Sequence, residues 1–99
     1  MKIEPWEFLQ FFDEHIELPD MSYGLLAYRL KTPEFEIEFH LDKVACSAEL
    51  VINSGVKQLI KVNDIKEIEI NFSELLVTQG NGGLIKVAKN ESLSFLIEI

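Results

Sequence analysis

The stretch Glu34-Phe35-Glu36-Ile37-Glu38-Phe39-His40-Leu41-Asp42 alternates polar and apolar residues without a break. In an extended chain successive side chains point to opposite faces, so this stretch has one apolar face and one acidic face. Phe35, Ile37, Phe39 and Leu41 are expected to face a core. Glu34, Glu36, Glu38, His40 and Asp42 are expected to face outward, because a shift of one residue would bury three carboxylates. Like charges at this spacing repel by an amount that salt and exposure set.

The same two-residue period continues on both sides of this stretch. Tyr23 to Lys31 reads as a preceding strand, broken at Thr32-Pro33. After a tight turn at Asp42-Lys43, Val44, Cys46, Ala48, Leu50 and Ile52 read as the inward residues of the next strand. Asn53-Ser54-Gly55 is a hairpin loop by composition, and Val56 to Val62 continues as a strand with Lys57 and Lys61 outward. In residues 63–72, Asp64 and Glu67 have the spacing of a helix capping box, but Ile68, Ile70 and Phe72 alternate with polar residues and favour a strand. Leu75–Gln79 and Leu84–Ala88 flank the glycine-rich tip Gly80-Asn81-Gly82-Gly83. Asn90-Glu91 reads as a turn before a last strand, Leu93 to Ile99.

Only the first part of the chain has a helical period. Residues 4–16 read as a helix, with Pro5 in its first turn and Phe8, Leu9, Phe12 and Ile16 on one stripe, leaving Trp6 and Phe11 off it. Pro19 prevents much continuation. Short connections exclude parallel pairing. The expectation is a single α+β, mainly β domain over residues 1–99: an N-terminal helix packed on the concave side of one curved antiparallel sheet of seven or eight strands, a half-barrel or open sandwich.

Composition narrows the function classes. The chain has 99 residues, 47% hydrophobic content and a net charge of −8. That supports a globular core rather than disorder. The nine basic residues are scattered, which disfavours direct contact with nucleic acid or an anionic membrane. The lone Cys46 allows no internal disulfide and no thiolate metal site, and no secretory leader or apolar run of about 18 residues appears, so a cytoplasmic setting is expected.

Catalytic patterns are weak. His15 and His40 lack convergent metal partners in sequence. Cys46 falls among apolar positions and reads as a small hydrophobe. The glycine-rich tip precedes β-type sequence rather than a helix, unlike a phosphate loop. No cofactor, metal or catalytic residue is expected. The acidic side chains remain: Glu34, Glu36, Glu38 and Asp42 with His40 in one stretch, and Asp13, Glu14, Glu17 and Asp20 in another. Solvated surface is one reading of them, and a docking face for a basic protein is the other.

In size, acidity and lack of a catalytic set, the chain resembles the immunity proteins of bacterial toxin–immunity pairs, including those of contact-dependent inhibition. The resemblance implies an inhibitor that places carboxylates where a basic toxin domain, such as a nuclease, receives phosphates. The alternative is a small ligand-binding or homodimeric module. A homodimer would use an exposed strand edge, and Leu93 to Ile99 lacks charge until Glu98.

Overall fold

Alternation at period two becomes β-structure almost throughout. The computed structural model describes residues 3–17, 24–89 and 93–98. Within them run a short helix, α1 (Pro5–Phe8), and nine strands: β1 (Glu14–His15), β2 (Leu25–Lys31), β3 (Glu36–Asp42), β4 (Ser47–Asn53), β5 (Lys57–Val62), β6 (Ile65–Ile70), β7 (Glu74–Gln79), β8 (Leu84–Lys89) and β9 (Leu93–Glu98). All pairings are antiparallel. The chain is thus mainly β and antiparallel, but it does not form one curved sheet. It forms a five-stranded sheet in the order β1-β2-β3-β4-β5 and a four-stranded sheet in the order β6-β7-β8-β9.

The division falls between β5 and β6, at Asn63-Asp64. By length this link resembles a hairpin turn. Asp64 adopts a left-handed backbone conformation (φ 53°), which short polar side chains tolerate better than most. The Ile65 N–H then donates to Cys46 O at 2.9 Å, and Asp64 O accepts from Gly80 N–H at 2.8 Å. These distant partners turn the chain away from β5 and start a new sheet. Buried Gln79 holds the corner, its Nε2 donating to Asn63 O at 2.8 Å.

The inner faces explain why two sheets pack together. Tyr28, Leu30, Ile37, Phe39, Leu41, Leu50 and Ile52 from the first sheet share one buried cluster with Ile68, Leu75, Val77, Ile85 and Val87 from the second. Burying each large side chain contributes roughly 1.5–3 kcal/mol relative to exposure. The phase expected for the central strand holds: Ile37, Phe39 and Leu41 are buried, Phe35 is half-buried and Glu34 is exposed.

The helix expected over residues 4–16 is only one turn. Glu7 Oε2 accepts from the Glu4 N–H at 2.8 Å, which closes that turn. So short a segment has little helical stability of its own, and the edge of β2 captures the chain from Asp13 onward. Asp13 N–H donates to Arg29 O at 2.8 Å, and Ile16 N–H to Ala27 O at 2.9 Å. Asp13 Oδ2 accepts from Lys31 N–H at 3.0 Å. Leaving the helical path exchanges two of the expected positions: Phe11 is fully buried beside Phe12 and Leu9 is 49% exposed, while Phe8 and Phe12 face inward as the stripe predicts. Phe8, Phe12, Tyr28 and Phe39 form one aromatic group, in which Phe8 stacks on Tyr28 with centroids 4.7 Å apart, Phe12 stacks on Tyr28 and Phe39, and Phe8 is tilted to Phe39. The Tyr28 hydroxyl donates to Pro5 O at 3.1 Å, and burial pushes its pKa above the ordinary 10.0. This aromatic wedge fixes the N-terminal segment to the first sheet.

One further expectation fails after β3. Asp42 is the last strand residue, and its Oδ1 accepts from the N–H groups of Val44 and Ala45 at 3.0 and 2.9 Å. That cap forces a turn over residues 43–46, so β4 starts at Ser47. Val44 is exposed, and Cys46 is half-buried with φ 53° rather than inward on a strand. The expected turn at Asn90-Glu91 lies outside the described residues, as do Asp20 and Pro19.

Candidate functional site

Antiparallel pairing brings together the two acidic stretches that lie about twenty residues apart in sequence. Residues paired across neighbouring strands project on the same face. Register places Glu14 of β1 beside Arg29 of β2, and Arg29 beside Glu38 of β3. Lys31 stands beside Glu36, and Ala27 beside His40. The outer face of the first sheet therefore collects Glu14, Glu36 and Glu38 around Arg29, the chain's only arginine.

The guanidinium spans these carboxylates. Arg29 Nη1 donates to Glu14 Oε1 at 2.8 Å. Arg29 Nε lies 2.8 Å from Glu36 Oε1, an ionic contact without hydrogen-bond geometry, and Nη2 lies 3.9 Å from Glu38 Oε1. The hydrogen bond to Glu14, then the charges of Glu38 and Glu36, raise the Arg29 pKa above its already high value, against desolvation that lowers it. Glu38 Oε1 is also 3.2 Å from His40 Nε2. Toward the far edge, Glu49 lies 3.8 Å from Lys61.

The expected docking residues therefore stand in different situations. Glu34 and Glu17 are exposed, and Glu34 adjoins the turn between β2 and β3. Glu14, Glu36 and Glu38 hold Arg29, and Glu36 and Glu38 are half-buried rather than freely solvated. Asp13 accepts the Lys31 N–H, and Asp42 caps the turn after β3. Asp20 is outside the described residues. The stripe is thus part of a mixed-charge face with a surplus of negative charge: Glu14, Glu36 and Glu38 surround Arg29, and Lys31 stands beside Glu36.

Arg29 is the residue that sequence reasoning passed over. A signal existed, since Arg29 and Lys31 alternate in the strand that forms a hairpin with the acidic one. Thr32 closes that hairpin: its N–H donates to Phe35 O at 2.8 Å and its Oγ1 accepts from Phe35 N–H at 3.1 Å. Counting back from this closure places Arg29 opposite Glu38.

Replacing Arg29 with methionine keeps the stem and removes the charge. Glu14, Glu36 and Glu38 would then face one another unpaired. The expected loss is about 1 kcal/mol at low salt, in the range of partly exposed ion pairs. It should shrink at about 0.5 M salt, where screening is short-ranged. Urea denaturation of both proteins at both salt levels tests this, and a loss that salt does not change would refute the charge cluster as its cause.

Among the described residues, no group of three or more His, Cys, Asp or Glu side chains converges as a metal would require. A half-open cleft of about 270 Å³ is lined by Leu25, His40, Asp42, Ser47 and Glu49, among others. Enclosed ligand pockets usually hold about 300–1,000 Å³ and bury most of their ligand. No helix among the described residues is long and apolar enough to cross a membrane. No family model, curated protein or solved structure matches this chain.

Proposed function

We propose that this chain is a non-catalytic binding protein of the immunity type, which neutralises a basic toxin domain such as a nuclease by covering it with the acidic outer face of the first sheet. One observation carries this reading: β1, β2 and β3 join two separate acidic stretches into one face, on which Glu14, Glu36 and Glu38 surround Arg29. Same-face carboxylates on a strand recur about every 6.6–6.8 Å, and a groove lined with lysine and arginine would meet them in series. Arg29 sets the carboxylates in place, which lowers the ordering cost of docking.

Exposed carboxylates that adjoin these strands test this best, because exposed carboxylates contribute little to the fold. Glu17→Lys and Glu34→Lys together should leave the denaturation midpoint unchanged. The probe is the protein encoded by the neighbouring reading frame. Wild type should form a complex with it, and the association rate should fall as salt rises toward physiological strength, where screening reaches about 8 Å. The double variant should associate about tenfold more slowly at low salt, with little change in dissociation. Absence of a complex, or an association rate indifferent to both salt and the substitutions, would overturn the proposal.

A further inference from the structure

Among the described residues four strands form the edges of the two sheets: β1 and β5 in the first, β6 and β9 in the second. Edge strands invite pairing with other chains unless they are short or charged. β1 has two residues. β5 carries Lys57 and Lys61, and β6 carries Lys66, Glu67 and Glu69. β9 runs for six residues with Glu98 as its only charge. Phe95, Leu96 and Ile97 are 36%, 46% and 39% exposed. They lie on both faces of the strand. Phe95 and Ile97 pair with buried Val87 and Ile85, so the apolar inner face of the sheet runs on to its edge, where it is partly exposed.

We propose that β9 pairs antiparallel with β9 of a second copy, joining two four-stranded sheets into one continuous sheet across a two-fold axis at Leu96. A two-fold interface must match itself read in reverse. Ser94-Phe95-Leu96-Ile97-Glu98 does so in polarity, with a polar residue at each end of three apolar ones. Centred on Leu96, the register sets Phe95 opposite Ile97 of the other copy on the inner side and Leu96 opposite its own equivalent on the outer side. Ser94 lies opposite Glu98, so its hydroxyl faces a carboxylate and the two Glu98 side chains are kept apart. Centring on Ile97 would instead set Glu98 against Leu96. The chain's net charge of −8 opposes self-association in general, but on the outer side beside β9 Lys86 lies 3.4 Å from Glu74 and shares its face with Glu98, which offsets part of the negative charge there, while Lys89 turns to Phe11 O. β9 belongs to the second sheet, whereas the acidic face belongs to the first, so dimerisation and toxin binding would fail independently.

Sedimentation equilibrium of the full chain tests this. Wild type should approach twice its 11.4 kDa mass at high concentration. Leu96→Lys places two ammonium groups at the axis, and should weaken dimerisation at least about thirtyfold while leaving the monomer folded by circular dichroism. Hydrogen exchange on the wild type provides an answer that does not depend on any variant folding: amides within residues 94–98 should gain protection as concentration rises. A wild type that stays monomeric at about 100 μM, a range where any dimer tighter than a 100 μM Kd is well populated, would overturn the proposal. So would a Leu96→Lys protein that dimerises as well as wild type, or exchange in β9 that ignores concentration.

Discussion

Phe39→Ala is expected to destabilise the protein by about 3–5 kcal/mol, the usual loss when a fully buried aromatic ring is removed. Phe39 is 2% exposed and sits at the centre of the first sheet's inner face. Its ring centroid is 6.0 Å from both Phe8 and Phe12, and neither neighbour is free to collapse into the space. Phe12 packs on Tyr28, and Phe8 is stacked between Tyr28 and the cavity that would form. A domain of this size holds about 5–15 kcal/mol in total, so the variant should be close to the threshold of folding at 37 °C. Each kcal/mol lowers the melting temperature of a 60–100-residue domain by about 4–8 °C, which makes thermal denaturation a sensitive second measure. A loss below about 1 kcal/mol in urea would mean that the central strand has its faces reversed.

Phe8→Ala should cost a similar amount, about 3–5 kcal/mol, although Phe8 lies in a helix of four residues. The helix contributes little by itself. Phe8 supplies a fully buried ring on Tyr28 and Phe39, which docks the N-terminal segment across the first sheet. The neighbouring position gives the contrast. Leu9 is half exposed, so Leu9→Ala should change stability by no more than about 0.5 kcal/mol. A regular helix over residues 4–16 predicts comparable losses at both sites, since Phe8 and Leu9 share its apolar stripe. Equal denaturation losses for the two variants would therefore restore that helix and remove the single-turn geometry.

Much of the fold was legible in the sequence because β-structure encodes its faces locally. The alternation from Glu34 to Asp42 determined which side chains of β3 enter the core, and similar alternation located β4 to β8 to within a few residues. It failed where a local bond competes with the pattern. Val44 and Cys46 continue the period of β4, yet the Asp42 carboxylate caps the turn beneath them and keeps both out of the strand. It failed again at residues 9–16, where a weak helical period lost to backbone donors and acceptors on the edge of β2.

The acidic residues divided in the same way. Sequence determined that Glu36 and Glu38 share a face, because a two-residue spacing on a strand leaves no other outcome. It did not show that Glu14 would join them, or that Arg29 would lie between the two groups, because those contacts depend on strand register between segments about fifteen residues apart. The number of sheets was also a tertiary decision. Alternation reports that a strand has an inner face but not which partner covers it. The left-handed turn at Asp64 and the long-range bond from Ile65 to Cys46 sent β6 to β9 into a separate sheet, because burying two apolar faces against each other excludes more water than one curved sheet roofed by a single helical turn.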